Sequence, residues 1–276
     1  MASKSCLEIA FIFGLVLLCP NADGKVFNVL SYGAKADGVT DNSKTLGFNF
    51  VNNTIVRDVH SINSKNIHFK VFACENMTFS HVNITAPRDS PNTDGIHISH
   101  STNIHVLDSY IGTGDDCIAI IAGSNNINIS GVTCGPGHGI SIGSLGNSPN
   151  EVVKDIHVKN CTLIATQNGL RIKTWASSNV GNITNITFED IIMKKVRNPI
   201  FIDQHYCPRQ HCSKQRAVIL DCSALFPCEK IILNDINLAY HGHHGHVIAF
   251  CAHAKGKATG KELPPSCLKE SLNSST

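Results

Sequence analysis

Four short phrases between Asn92 and Lys173 restrict this chain to few architectures. Asp94-Gly95-Ile96-His97-Ile98, Asp116-Cys117-Ile118-Ala119-Ile120, His138-Gly139-Ile140-Ser141-Ile142 and Asn168-Gly169-Leu170-Arg171-Ile172 share one grammar: a polar residue, then two aliphatic residues one position apart. With Ile96, Ile118, Ile140 and Leu170 taken as equivalent, the spacings are 22, 22 and 30 residues. Repetition at that period, with strand-like alternation inside each unit, predicts an all-β coil in which each turn of chain stacks on the last. Stacking puts Asp94, Asp116 and His138 at one place on three successive coils, each roughly 4.8 Å from the next. Two carboxylates and an imidazole in a ladder form a candidate active site.

The phase of the repeat assigns faces. Ile96, Ile98, Ile118, Ile120, Ile140, Ile142, Leu170, Ile172, Ile200, Ile202, Val218 and Leu220 are expected to stack inside as aliphatic ladders. The intervening His97, Ala119, Ser141 and Arg171, then Ser99, Ile121, Gly143 and Lys173, are expected to face out. Strict alternation would turn Asp94 and Asp116 inward, so a bend before each strand must free them to reach a cleft. A second strand family opens at Asn66, Asn76, Asn103, Asn126, Asp155 and Asn185, residues suited to a tight bend. Every coil therefore contributes at least two strands.

The rhythm breaks twice. Only 18 residues separate Ile200 from Val218, too few for a full coil, and they include the loop Tyr206–Cys212. At the other end, a short strand (26–34) and a turn-rich loop (35–44) run straight into coil strands at Phe48, without a capping helix. A solenoid needs its end covered, because an open terminal coil exposes strand edges and apolar core. Either segment could mark a missing portion.

Residues 1–24 read as a secretory signal: Lys4, an uncharged apolar run from Ile9 to Cys19, and a cleavage region near residues 22–24. The 11-residue run is shorter than the ~20 residues a spanning helix needs, so no membrane segment is expected. Residues 25–276 then form one β domain. In an oxidising compartment, Cys117 with Cys134, Cys207 with Cys212, Cys222 with Cys228 and Cys251 with Cys267 are close pairs suited to disulfides. None has the two-residue separation of a zinc knuckle. Sequons at Asn52, Asn76, Asn83, Asn128, Asn160, Asn182, Asn185 and Asn273 offer glycosylation sites. The run His241–His246 suits either metal binding or a solvated loop. A formal charge of +2 makes no case for nucleic acid, while 15 histidines would render the surface cationic in mild acid and attract an acidic polymer.

Asp94, Asp115 and Asp116 suit glycosidic hydrolysis, which needs one carboxyl group to protonate the leaving oxygen and another to activate water or attack. Calcium binding and simple turn capping are the competing uses of such aspartates. Asn92-Thr93-Asp94, Gly114-Asp115-Asp116, Gly137-His138-Gly139 and Arg171-Ile172-Lys173 resemble, in order and context, the four signature motifs of the polygalacturonases. The phrase from Cys134 to Gly146 is highly specific to that family. Phe48–Asn53 and Pro199–Gln204 look most like the plant exopolygalacturonases, notably those of pollen.

The resemblance implies a right-handed parallel β-helix, here shortened at its N-terminal end. It implies a secreted, monomeric, exo-acting enzyme that hydrolyses pectin or polygalacturonate with inversion, needs no cofactor or metal, and acts in the cell wall. Asp115 would be the general acid, Asp94 and Asp116 would activate water, and His138 would hold the site by hydrogen bonding. Arg171 and Lys173 would bind galacturonate carboxylates. Family members carry a capping helix and early coils after the Asp41–Lys44 region, and a further coil between about Cys212 and Arg216, which this chain lacks. A non-catalytic pectin-binding remnant is the alternative reading, and a calcium-dependent pectate lyase a weaker third.

Overall fold

The computed structural model describes residues 45–177, 179, 181–206, 216–240 and 247–269, together with the backbone of 7–11 and 14–18. Among the described residues there are twenty-three strands, numbered in chain order, which build a parallel β-helix with one antiparallel pair at its N-terminal end. One sheet stacks β1 (Leu7–Phe11), β2 (Gly14–Leu18), β3 (Leu46–Asn49), β6 (Phe69–Phe72), β9 (Ile96–Ser99), β12 (Ile118–Ile120), β15 (Ile140–Leu145), β17 (Asn168–Trp175), β19 (Asn198–Tyr206), β20 (Val218–Asp221) and β22 (Ala249–Ala252). The second holds β4 (Asn52–Arg57), β5 (His60–Ile62), β7 (Glu75–Ser80), β8 (Asn83–Thr85), β10 (Thr102–Leu107), β11 (Tyr110–Gly112), β13 (Asn125–Ser130), β14 (Thr133–Cys134), β16 (Glu151–Ile164) and β18 (Gly181–Lys194). A separate pair joins β21 (Cys228–Asn234) to β23 (Ala254–Thr259).

The register in the first sheet is the one the repeat implies. Ile96, Ile118, Ile140, Leu170, Ile200 and Val218 are successive Cα partners. From Ile96 to Ile142 the ladder is fully buried, as expected for a two-sided apolar stack. Ile172, Ile200 and Ile202 are only half-buried, because the helix thins beyond β17. The outward positions also differ from expectation. Ser99, Ala119, Ser141, Gly143 and Lys173 are buried, so this face is the floor of a groove rather than an open surface.

Corners repeat as faithfully as strands. Asn53, Asn76, Asn103, Asn126, Asp155 and Asn185 all sit at positive φ, between 52° and 56°, which asparagine and aspartate tolerate best among side-chain-bearing residues. Their side chains bond along the stack: the Asn76 amide donates to Asn53, Asn126 to Asn103 and Asn185 to Asp155. Asn66, expected in this series, does not belong to it. The segment after it enters the first sheet, with Phe69 opposite Ile96, and Asn53 occupies the corner instead. Among the exposed sequons, Asn76 and Asn185 therefore have their amides engaged, while Asn160 and Asn182 are exposed outside the ladder.

Both breaks in rhythm leave structural marks. The first sheet steps directly from β19 to β20, with Ile200 opposite Val218. The second sheet does not follow. Among the described residues β18 pairs only with β16, and β21 pairs only with β23. No residue of β18 is fully buried, and the apolar core divides into a large cluster from Phe48 to Leu163 and a small one around Val218, Leu220 and Leu233. At the other end, the apolar run read as a signal forms the antiparallel β1–β2 hairpin, which meets β3 at Val16 and Gly47. Cys117–Cys134, Cys222–Cys228 and Cys251–Cys267 are disulfides, whereas Cys74 and Cys161 are buried thiols. Cys207 with Cys212, the run His241–His246, Asn273 and residues 25–44 lie outside the described residues.

Candidate active site

The groove floor gathers all six residues singled out by their motifs. Asp94, Asp115, Asp116 and His138 stand on the bends that lead into β9, β12 and β15, and Arg171 and Lys173 project from β17. The bends are as tight as the sequence suggested. A Cβ on Gly114 would lie 2.0 Å from the Ser90 carbonyl oxygen, and Gly137, at φ 144°, would place one 2.7 Å from the Asp115 carbonyl oxygen. The Gly114 N–H donates to Thr93 Oγ1 at 3.0 Å, tying the loop before Asp94 to the loop that carries Asp115 and Asp116.

Each carboxylate has a different partner, and the differences set its chemistry. Asp116 is buried and spends both oxygens: Oδ1 accepts from the Ser141 hydroxyl at 2.6 Å and Oδ2 from the Lys173 ammonium at 2.7 Å. Lys173 is on the outward face, as expected, but its ammonium is buried against Asp116. A buried carboxylate requires a counter-charge, and Lys173 supplies it. His138 meets Asp115 twice: its backbone N–H donates to the Asp115 backbone carbonyl at 2.8 Å, and its Nδ1 lies 3.0 Å from the carboxylate Oδ1. Burial pushes the Asp115 carboxyl up, but the hydrogen bond and charge of His138, helped by the Asp116 N–H and Lys173, outweigh it and hold Asp115 below the usual range. Asp94 goes the other way. Burial raises it, the Asp116 and Asp115 charges raise it further, and the His97 ring, 3.0 Å from Oδ2, only partly offsets them.

By distance alone, Asp115, Asp116 and His138 offer a metal ligand set, their donor atoms lying within 4.8 Å of one another. Chemically the position is taken, because Asp116 already faces an ammonium and His138 Nδ1 already faces a carboxylate. The donor set fits a proton-transfer cluster better than a cation cage.

Arg171 is held by rings. Its guanidinium carbon lies 5.6 Å from the Phe201 centroid and 5.0 Å from that of Tyr206, and the Lys173 ammonium is 5.5 Å from the Tyr206 ring. Motif reading missed Tyr206 for a reason of parity. Phe201 and Asp203 lie opposite Arg171 and Lys173, but a bulge follows, and Tyr206 rather than residue 205 lies opposite Trp175. The extra residue turns Tyr206 to the groove. Ser141 and His97 were also missed as partners, although their places on the outward face were legible. Two shallow depressions flank the cluster. One, of about 440 Å³, is lined by Lys65, Asn66, Asn92, Asp94 and His97, and the other, of about 600 Å³, by Asn147, Trp175, Asn179, His205 and Tyr206.

The architecture is that of a parallel β-helix with a carboxylate-rich groove, and likeness to known sequences identifies the family. The sequence profile of glycosyl hydrolases family 28 matches residues 19–219, and the chain belongs to that family. A polygalacturonase from Medicago sativa is 46% identical over 86% of this chain and 63% of its own length. An exopolygalacturonase from Platanus acerifolia is 43% identical over 79% of this chain and 64% of its own. The chain thus spans a little under two thirds of these relatives. The solved endo-xylogalacturonan hydrolase from Aspergillus tubingensis aligns with a TM-score of 0.54 at 25% identity, covering 70% of this chain and 54% of that one.

Proposed function

We propose that this chain hydrolyses α-1,4-galacturonosyl linkages of polygalacturonate, with Asp115 as general acid and Asp94 and Asp116 positioning and activating the water. The observation that carries this reading is the union of three differently partnered carboxylates with two cations in one groove. Asp115 must hold a proton to act as an acid, yet His138 keeps it ionised in the free groove. A bound sugar displaces water from the groove, and the added desolvation favours the neutral Asp115 carboxyl over its carboxylate. The proton then resides on Asp115, facing the leaving oxygen.

Lys173 and Ser141 hold the two oxygens of Asp116 in place, and this carboxylate can orient water beside the anomeric carbon. Asp94 must be ionised to accept the water's proton, so its raised affinity sets the acid limb of activity. Arg171, gripped by Phe201 and Tyr206, offers its guanidinium to a uronate carboxylate. Relatives named exopolygalacturonase support removal of terminal residues, and the family supports inversion and a cell-wall location. The apolar leader supports export.

A second reading, a pectin-binding protein without turnover, is favoured by the interrupted second sheet and the span relative to its relatives. The deciding experiment is incubation with trigalacturonate at pH 4–6, following reducing ends, product lengths and anomeric configuration by NMR. Release of β-galacturonate monomer from the non-reducing end is the expected result. Retention of the oligomer without new reducing ends would establish the second reading.

A further inference from the structure

We propose that the depression beside Trp175 and Tyr206 is a separate uronate subsite, in which Trp175 stacks on a sugar unit beyond the one held by Arg171. The inference rests on the hydrolase reading above, and it assigns a length-sensing role to a residue outside the acid–base cluster. Trp175 follows Arg171 and Lys173 in the alternation of β17, so all three side chains share the groove face. It lies two residues beyond Lys173, about 7 Å further along the strand. The Trp175 and Tyr206 rings are 4.9 Å apart at 59°, and Tyr206 in turn sits under Arg171 and Lys173. Aromatic rings therefore lead from Arg171 and Lys173 into the depression.

The walls match the chemistry of an acidic sugar. Half-buried Trp175 offers a ring whose negative face attracts the C–H bonds of a pyranose. Asn147 and His205 are exposed at the rim and carry N–H donors for a carboxylate or hydroxyl. The rim is also braced. Ser177 Oγ and the Asn179 amide both donate to the Gly146 carbonyl, at 2.7 and 3.1 Å, and the same amide reaches the Asn147 carbonyl at 3.1 Å. A depression with an aromatic floor, polar rim and locked loop is preorganised for a rigid ring.

Trp175 is the only tryptophan in the chain, so its emission reports on this depression alone. The test is a fluorescence titration of the full chain carrying Asp115→Asn, which prevents turnover, with mono-, di- and trigalacturonate and with neutral maltotriose. Binding is read in parallel by calorimetry. A saturable change in Trp emission with trigalacturonate, smaller or absent with galacturonate and maltotriose, is expected. In the otherwise unaltered chain, Trp175→Ala should raise KM about 10-fold for long oligomers, with kcat and the KM of the shortest substrate nearly unchanged. Trp175→Phe should restore most of that loss, and Asn147→Ala, in an exposed loop, should give a smaller change of the same kind.

Calorimetric binding of trigalacturonate without any emission change would overturn the subsite. So would an equal loss for every chain length, or a loss that Trp175→Phe does not rescue. Failure of hydrolysis with an intact, length-dependent emission response would instead reject the hydrolase reading and leave the subsite standing.

Discussion

The coils from β9 to β17 and the stretch from β18 to β23 are built from the same kind of sequence, yet only the first is a closed solenoid. In the central coils both sheets advance together, Ile96 to Ile142 are fully buried, and the corners carry asparagine ladders. Beyond β17 the first sheet continues while the second stops at β18, whose outer edge has no strand partner among the described residues. Every catalytic candidate lies in or borders the closed region. Positioning is therefore a property of complete coils: a groove floor stays fixed only where each strand has a neighbour on both sides and a buried stack beneath it.

The largest test of that contrast is Lys173→Met, at the last complete coil. It removes the counter-charge of a buried carboxylate and should destabilise the protein by about 3–5 kcal/mol, with activity lost. Chemical denaturation measures the first effect and reducing-end release the second. An unchanged midpoint would mean that Asp116 reaches water, and the groove floor would be looser than its distances imply.

Next comes a matched pair on one ladder. Ile120 and Ile202 occupy equivalent positions, through Ile142 and Ile172, but the first is fully buried and the second half-buried. Ile120→Ala should cost about 3–4 kcal/mol and Ile202→Ala about 1–2 kcal/mol by denaturant unfolding. Equal costs would erase the distinction between the regions. Separate transitions in the parent protein would sharpen it, since two clusters can unfold independently.

Much of this contrast was written in the chain. The 22-residue spacing gave the register because identical geometry repeats wherever identical phrases do, and the 18-residue interval before Val218 announced the break in the second sheet. What could not be read is what depends on contacts between coils. The Lys173 ammonium turns to Asp116 across 57 positions of sequence, and no local pattern records that choice. The bulge that turns Tyr206 to the groove shifts parity by one residue without a glycine or proline to mark it. Asn66 imitated a corner asparagine because it precedes an alternating run, and only the pairing of Phe69 with Ile96 places that run in the other sheet.

Acid exposes a weakness at the N-terminal side of the closed region. His68 is buried, its Nδ1 lies 2.8 Å from Ser61 Oγ, and its Nε2 has no hydrogen-bond partner among the described residues. Burial lowers its pKa to about 4. The folded state thus keeps His68 neutral where the unfolded chain, near 6.5, is protonated. The unfolded state binds the extra proton between those values, so stability is full above about 6.5, falls as pH drops and levels off below about 4. The slope is ~1.4 kcal/mol per pH unit and the total about 3 kcal/mol. His68→Gln, which keeps a partner for Ser61, should flatten that part of the denaturation profile. A slope unaltered by the substitution would place the acid sensitivity elsewhere.

The smallest expected effect probes the closed region at its chemistry. His97 bonds to Asp94 and lowers a carboxyl that burial and its two acidic neighbours raise. His97→Ala removes the stabilisation of the anion while leaving Asp115, Asp116 and Lys173 with their own partners. Asp94 should then protonate at higher pH, and the acid limb of kcat should move upward. Activity well above that limb should change little, because there the proton has already left Asp94 in both proteins. A uniform fall in kcat at every pH would show that His97 fixes the position of Asp94 rather than its charge. A limb that stays in place would show that another group governs it, and the raised Asp94 carboxyl would not be the one whose ionisation admits catalysis.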